Sequence, residues 1–392
     1  MKDESEEGPT NAKEILVEMK DISELMLDLA YSAVIFGDED IANEVMDLEE
    51  RMDNLLYRAR ITIMLGARSL DDAKMLSGIL QIASAAEKIS NAAGDIAKLA
   101  LRGDRASERV KLDLTGADET ITYVKVQDGS ALDSRTLGEL QLETETGMRV
   151  IAINRGQRWI YAPESDTVIF KGDILLARGP PEGIQDIREL AGCRSDIREE
   201  RVVSTSKKLN EAISLIIEMK NISELIVGLA YSAVLFYNQM LASEVEILEE
   251  EMDEMLTDLE FTVLEAAREV ENLSELRGLL SIGMSTEIIS DAAYEIADVV
   301  LRDIELHPVF MLAIRESDEV VSRVNLRKEL SADLDIARIE DETGMYVMAV
   351  RRPNGRWIYD PEPEIRLKGG ETLIVRGTRS GEERLVRLWG EL

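Results

Sequence analysis

Acidic residues four positions apart recur at matching places in the two halves of the chain. The string LEEEMD contains Glu249 and Asp253, and the string EIISD contains Glu287 and Asp291. On a helix, residues i and i+4 share a face, and two carboxylates there repel each other by about a few tenths of a kcal/mol. A bound cation reverses the sign of that interaction. Two such pairs on neighbouring helices offer about four oxygen ligands, which suit a hard ion such as Mg²⁺ or Mn²⁺, or iron.

The first half carries the same pattern with one charge fewer. Glu49 and Asp53 form a pair within LEERMD, whereas Glu87 is followed four positions later by Asn91 in EKISN. We therefore expect a divalent ion to bind the second site more readily than the first. With 78 Asp and Glu in the chain, such pairs also arise on ordinary solvated helix faces, and that alternative stays open.

The residues that other chemistries need are scarce. The chain has one histidine, His307, and one cysteine, Cys193. A zinc site with several His or Cys ligands is excluded by count, and a Ser-His-Asp or Cys-His device would depend on His307 alone. Walker A and H-E-x-x-H motifs are absent. We therefore expect no enzyme, with a metallohydrolase built on the acidic pairs as a distant alternative.

The net charge indicates the class of partner, and the cysteine count and the N-terminal segment indicate the compartment. The chain carries 45 Lys and Arg against 78 Asp and Glu, a net charge of −33 that repels nucleic acid. A single cysteine forms no internal disulfide, and the N-terminal MKDESEEGPTNAKE lacks the apolar core of a signal peptide. We expect a cytoplasmic protein that meets the membrane only through a transporter.

One uncharged stretch, 225–243, is nearly long enough to span a bilayer. Its counterpart at 25–40 contains Asp28 and ends in several acids, which a spanning helix tolerates poorly. A buried bundle helix is therefore the better interpretation.

The chain is a tandem repeat. Met19 returns as Met219, an offset of 200, and LAYSAV at 29–34 returns at 229–234. In each copy a proline-free segment has apolar residues at steps of three and four, which predicts three long helices, near 12–36, 39–66 and 71–102 in the first copy. Such a pattern indicates a three-helix bundle.

Each helical segment is followed by short β-rich runs such as TITYVKV, MRVIAIN and TVIFKGDILLAR, punctuated by Gly, Pro and Asp. The predicted fold class is α+β multidomain, with two three-helix bundles alternating with two small α+β modules. The predicted domains are 12–105 and 205–304 for the bundles and 108–195 and 306–392 for the modules.

The helical segments resemble PhoU, a three-helix-bundle regulator associated with phosphate uptake. PhoU bundles carry Asp or Glu pairs four residues apart on two helices, and these pairs bind metal ions. The resemblance therefore implies a divalent metal site, Mg, Mn or Fe, at the matching positions. These are Glu249, Asp253, Glu287 and Asp291 in the second copy and Glu49, Asp53 and Glu87 in the first.

The β-rich segments resemble the TrkA-C, or RCK-C, domain of ligand-gated regulators of potassium transport. The strings ETGMRVIAINRGQRWIYAPE and ETGMYVMAVRRPNGRWIYDPE carry the likeness. In that family the module dimerises and binds a small ligand, cyclic di-AMP among others, near the dimer seam. Guanidinium groups clustered on a turn could hold such an anion. The candidates are Asn154, Arg155, Arg158, Arg351, Arg352 and Arg356.

Together the two resemblances imply a regulatory subunit of potassium transport that senses a ligand and relays it to a membrane channel or transporter. The alternative is a metal-binding regulator of phosphate uptake, in which the β modules only hold the assembly together. The modules are expected to pair, either within one chain or across a homodimer. No G-x-G occurs in the chain, so the nucleotide-binding Rossmann half of the potassium regulators is not expected.

Overall fold

A computed structural model gives the fold. It describes residues 12–101, 120–156, 158–161, 163, 165–180, 183–193, 207–269, 273–306, 320–328, 334–353, 357–359, 361, 363 and 365–391. The predicted boundaries near 105–108 and 195–205 lie outside these residues. The described residues fall into two compact units, one holding both helical segments and the other both β-rich segments.

The helical unit contains two three-helix bundles, as the sequence predicts. Their six helices are α1 (Ala12–Phe36), α2 (Glu39–Gly66), α3 (Leu70–Leu101), α7 (Lys207–Leu235), α8 (Gln239–Ala266) and α9 (Leu273–Leu301). Asp38 caps α2 by accepting from the backbone N–H groups of Asp40 and Ile41, and Asn238 caps α8 in the same way. Helix α7 is buried continuously from Ser223 to Leu235, which accounts for the part of the uncharged stretch 225–243 that lies in this helix. None of the described helices is long and apolar enough to cross a membrane.

The two bundles pack against each other through antiparallel α3 and α9. Gln81 on α3 donates to the backbone carbonyl of Glu295 (2.8 Å) and to Asp298 (3.2 Å) on α9. Further toward the start of α3, Gly78 lies against Val299 and against Ile304, beyond the end of α9. The beginning of α3 therefore lies beside the end of α9.

Reciprocal contacts between α1 and α7 join the bundles as well. The Lys20 ammonium lies 5.6 Å from the centre of the Tyr231 ring, and the Lys220 ammonium lies 5.5 Å from that of Tyr31. Both lysines are buried, and each forms an ion pair one turn along its own helix, Lys220 with Glu224 at 2.8 Å. Pairing and contact with a π-face offset part of the cost of burying an ammonium group.

The first β module is built around an antiparallel sheet with the strand order β1-β6-β3-β4. Its elements, in chain order, are β1 (Thr120–Lys125), β2 (Arg135–Thr136), α4 (Leu137–Leu140), α5 (Leu142–Thr146), β3 (Arg149–Arg155), β4 (Arg158–Tyr161), β5 (Val168–Ile169), β6 (Ile174–Gly179) and α6 (Gly183–Leu190). Strands β2 and β5 form a separate two-stranded ladder. One sheet face and the helices enclose an apolar core that includes Val124, Ile153 and Leu175.

The second β module repeats this order as β7-β10-β8-β9, with β11 added at the outer edge of β7. Its elements are β7 (Val320–Leu326), α10 (Ile336–Thr343), β8 (Tyr346–Arg351), β9 (Trp357–Tyr359), β10 (Thr372–Gly377), α11 (Arg379–Leu388) and β11 (Gly390–Glu391). The sequence predicts glycine turns before the last core strand at Gly172 and Gly369. The left-handed positions are Gly172 (φ +88°) and Gly370 (φ +84°), so the second turn is one residue later than predicted.

The two modules of one chain contact each other through α5, α10 and α11. The Thr144 hydroxyl lies 3.2 Å from that of Thr378 and 2.9 Å from that of Ser380. Arg384 forms an ion pair with Glu145 at 2.7 Å. A pair of modules, expected either within a chain or across a dimer, therefore forms within a single chain.

Candidate functional site

Carboxylates from two neighbouring helices converge in the second bundle. Glu249 and Asp253 lie one turn apart on α8, and Asp291 faces them from α9. One oxygen of each of these three side chains lies within 4.8 Å of the others. Glu287, one turn before Asp291, is close enough for the Asp291 and Asp253 charges to act on it. We call these four residues the carboxylate cluster.

The carboxylate cluster is electrostatically strained when fully ionised. Burial and the charge of Asp253 raise the pKa of Glu249 to about 7, and burial and the charge of Asp291 raise the pKa of Glu287 to about 7. Burial raises the pKa of Asp291 as well, and a hydrogen bond joins it to Glu249. At neutral pH the cluster therefore needs protons or a cation, and an all-oxygen set of this kind fits a hard divalent ion.

A lysine of the other bundle lies beside the carboxylate cluster. Lys88 on α3 forms an ion pair with Glu295 at 2.5 Å, one turn beyond Asp291. Its charge also acts on Asp291 and lowers the pKa of that carboxyl, against the larger effect of burial. The carboxylate cluster is therefore electrostatically linked to the first bundle.

The corresponding place in the first bundle already holds a cation from the chain itself. The Lys98 ammonium lies 3.6 Å from Glu49 and 2.9 Å from Asp95. Burial acts to lower the pKa of Lys98, but the hydrogen bond to Asp95 and the charge of Glu49 raise it overall. The residue equivalent to Lys98 in the second copy is Asp298, so the two sites differ in charge as well as in ligands.

Glu49 reaches Lys98 because the facing residue on α3 is a glycine. A Cβ atom at Gly94 would collide with the Glu49 carboxylate. The equivalent residue in the second bundle is Tyr294, which donates to Glu246, and Glu249 there bonds to Asp291. Asn91 meanwhile donates to Glu87 at 2.8 Å. In the described part of the first bundle, no three acidic side chains bring ligand oxygens within 4.8 Å of one another.

Two of the predicted ligand-binding arginines bind carboxylates of their own β modules. Arg155 makes a two-pronged contact with Asp173, 2.7 Å at its shortest, and donates to the backbone carbonyl of Val168. Arg352, its counterpart, pairs with Glu371 at 2.5 Å. Both carboxylates are almost fully buried, at 2% and 0% exposure. These arginines therefore hold the turn before the last core strand in place.

The other predicted ligand-binding residues are distributed as follows. Asn154, the neighbour of Arg155 on β3, is half-buried and in register with Trp159. Arg351 ends β8 and is half-buried. The side chain of Arg158 and the whole of Arg356 lie outside the described residues, as does His307.

Several residues of these sites carry no local motif. Lys98, Lys88 and Gly94 contact residues of a neighbouring helix. Asp173 and Glu371 form ion pairs with arginines that are distant in sequence. The available signal is the comparison of the two copies, in which Lys98 aligns with Asp298 and Gly94 with Tyr294. A change from cation to anion beside an otherwise repeated acidic pair indicates that the two sites have diverged.

Family models match most of the elements described above. The PhoU domain model matches residues 16–100 and 216–300, and the TrkA-C domain model matches residues 121–192. The chain is a fusion of PhoU domains, present twice, with a TrkA-C domain. The second β module shares the sheet order of the matched one. Both families are regulatory rather than catalytic.

A comparison with solved structures finds two PhoU proteins and an RCK domain. PhoU from Pseudomonas aeruginosa is 13% identical, with 74% of this chain and 96% of that chain covered and a TM-score of 0.41. The phosphate transport system regulatory protein PhoU from Streptococcus pneumoniae is 10% identical, with 74% of this chain and 91% of that chain covered and a TM-score of 0.40. The GsuK RCK domain is 14% identical, with 69% of this chain and 63% of that chain covered and a TM-score of 0.18. All three scores are low, and the identification rests on the family models. A comparison with curated proteins gives no match.

Proposed function

We propose that the chain is a cytoplasmic regulatory subunit of inorganic cation transport that binds a divalent cation in its second bundle and a small ligand at its paired β modules. The carboxylate cluster is the observation that carries this proposal. One oxygen each of Glu249, Asp253 and Asp291 lies within 4.8 Å of the others, and the pKa values of Glu249 and Glu287 are raised to about 7. The regulatory character of both domain families supports the same role.

A divalent ion, Mg²⁺, Mn²⁺ or Fe²⁺, would be held by Glu249, Asp253 and Asp291, with Glu287 as the fourth acid. The ion supplies two positive charges that replace the protons otherwise needed at Glu249 and Glu287. Neutralising Asp291 also removes part of the negative field that Lys88 experiences from α9. Cation binding in one bundle would in this way change the attraction between the two bundles.

The β modules would sense a small anionic ligand such as cyclic di-AMP at their seam. Arg155 and Arg352 are engaged by buried carboxylates. Of the predicted ligand-binding arginines, Arg351 and Arg356 are therefore the ones chosen for the test of ligand binding. The TrkA-C match favours potassium as the transported ion and a membrane potassium channel or transporter as the partner.

A regulator of phosphate uptake is the alternative. It is favoured by the place of the carboxylate cluster, which lies within a PhoU domain. In that case the cation would be the principal signal, and the paired β modules would serve mainly to hold the chain together.

Metal binding is tested by titrating the full chain with Mn²⁺ in a calorimeter. We expect one ion to bind, and we expect the Asp253→Asn, Asp291→Asn double variant to lose it. Asp53→Asn, at the equivalent exposed position of the first bundle, is the matched control and should leave the titration unchanged. Equal Mn²⁺ retention by the wild type and the double variant would overturn the metal site.

The ligand and the transported ion need separate measurements. Titration with cyclic di-AMP should give heat that is reduced in the Arg351→Ala, Arg356→Ala variant. Uptake of labelled rubidium and of labelled phosphate is then compared in cells with and without the chain. A defect in rubidium uptake alone supports the potassium role, whereas a defect in phosphate uptake alone supports the alternative.

A further inference from the structure

The equivalent ends of α2 and α8 have opposite charge. Residues 54–70 contain three arginines and no Asp or Glu, a net charge of +3. Residues 254–270 contain five acids and one arginine, a net charge of −4. A basic segment is unusual in a chain whose overall net charge is −33. We call these segments the basic end and the acidic end of the helical unit.

Both ends also present large apolar side chains to solvent. In the basic end Tyr57, Met64 and Leu65 are 66%, 66% and 80% exposed. Tyr57, Ile61 and Met64 follow the i, i+4, i+7 spacing of one helix face. In the acidic end Phe261 and Leu264 are 66% and 65% exposed. Contiguous exposed apolar groups rimmed by charge are typical of interaction surfaces.

A groove of about 740 Å³ runs beside Phe261, between α7 and α8. Four acids line it, Glu211, Glu218, Asp258 and Glu265, together with Lys207. Glu211 and Glu265 share the Lys208 ammonium at 2.9 and 2.8 Å. Within the described part of the chain, Glu218 and Asp258 have no such ion pair. The groove is therefore an acidic and partly apolar surface, and Glu218 and Asp258 in it can pair with cations of a partner.

The two ends cannot meet within one molecule. The basic end leads directly into the start of α3, which lies beside the end of α9 through the contacts of Gln81 and Gly78. The acidic end leads into the start of α9. Helix α9 has 29 residues, which at 1.5 Å a residue separates the two ends by about 43 Å.

We propose that the basic end of one copy docks in the acidic groove of a second copy. Arginines such as Arg60 then face Glu218 and Asp258, and Tyr57, Ile61 and Met64 cover Phe261. A second copy fits better than an anionic bilayer, because the chain as a whole repels anionic surfaces. The acidic end also offers both the opposite charge and an exposed apolar group to match those of the basic end. The contact joins unlike surfaces, so it repeats from copy to copy as a ring or a filament.

Sedimentation velocity of the full chain tests the proposal over a roughly hundredfold range of concentration, at low and high salt. We expect the average mass to rise with concentration at low salt and to fall when salt is added. Arg60→Glu alone and Asp258→Arg alone should each leave a monomer. Mixing the two variants should restore association, because each then presents a surface matched to the other. Lys125→Glu makes the same charge change at an exposed site in the β unit and should leave association intact.

A wild type that stays monomeric throughout, or association that survives both single charge reversals, would overturn the proposal. So would wild-type binding to phosphatidylglycerol vesicles that Arg60→Glu abolishes without any change in self-association, since the basic end would then be a lipid-binding surface. Circular dichroism at the helix bands confirms that each variant is folded before it is compared.

Discussion

Glu249 and Glu287 hold protons in the folded chain at a pH where unfolded glutamates have already released them. The folded pKa of each is raised to about 7 from 4.5. Between these values the folded state binds more protons than the unfolded state, so the free energy of unfolding decreases as pH rises through this window. Below about pH 4.5 both states are protonated, and these two groups contribute nothing to the pH dependence.

The resulting prediction concerns thermal unfolding of the metal-free chain. We expect Tm to fall from pH 5 to pH 7.5 and the fall to be smaller in the Glu287→Gln variant. Saturating Mn²⁺ should raise Tm most at the upper end of this range, because the ion no longer competes with protons there. Glu87→Gln is the matched control from the first bundle. An identical pH dependence in the wild type and Glu287→Gln would contradict the assignment.

Lys98 should be what prevents the first bundle from binding a metal ion. Replacing it with Asp, as at Asp298, and Asn91 with Asp, as at Asp291, gives the first bundle the acids of the second. We expect the Mn²⁺ stoichiometry to rise from one to two in the Asn91→Asp, Lys98→Asp variant. Lys74→Asp, on the exposed start of α3, should leave it at one. A stoichiometry of one in both variants would show that Gly94 and its neighbours, rather than charge, decide the difference.

At the scale of single elements, the turn before the last core strand depends on one arginine in each β module. Removing Arg352 leaves the buried Glu371 carboxylate without its ion pair, which should cost about 2–3 kcal/mol in the free energy of unfolding. Arg155→Ala should cost less, about 2 kcal/mol, because its side chain is 36% exposed. Urea denaturation measures both.

Lys171→Ala provides the control for these two variants. Lys171 pairs with Asp128 on the surface, with side chains 61% and 78% exposed, and its loss should change stability by less than about 0.5 kcal/mol. If Arg352→Ala were as mild as Lys171→Ala, Arg352 would be free to serve a ligand.

The helices were the most predictable elements. Apolar residues at steps of three and four, without proline, predicted 12–36 and 39–66, and α1 and α2 have those bounds; α3 begins at Leu70, one residue earlier than predicted. The strand runs were also recognisable, but their order in the sheet depends on pairings between distant segments, which no local pattern specifies. The acidic pairs were predictable for the same reason as the helices, since i and i+4 share a face. The role of Lys98 was not predictable, because Glu49 occupies space beside Gly94 that any larger residue would fill.

At the scale of the whole helical unit, the buried lysines couple the two bundles. A double-mutant cycle with Lys220→Met and Tyr31→Leu should give a coupling energy of about 1–2 kcal/mol, because the ammonium lies over the ring in a desolvated position. The mirror cycle with Lys20→Met and Tyr231→Leu should give a similar value. Lys220→Met combined with Tyr57→Leu, at an exposed tyrosine, should be additive. Additivity in all three cycles would mean that the lysines serve only their own helices.

The reciprocal lysine and tyrosine contacts bear on how such a chain could have arisen. Lys20 and Tyr31 lie in the same copy, and Lys220 and Tyr231 lie in the other, yet each lysine lies over the tyrosine of the opposite copy. One copy alone therefore contains both halves of the contact and could form it twice with an identical partner. A chain of half this length could form both contacts in a symmetric dimer, and the tandem repeat holds the two copies together covalently. Two copies in one chain can differ in sequence. Lys98 in the first copy and Asp298 at the equivalent position of the second are such a difference, which an assembly of identical subunits could not have.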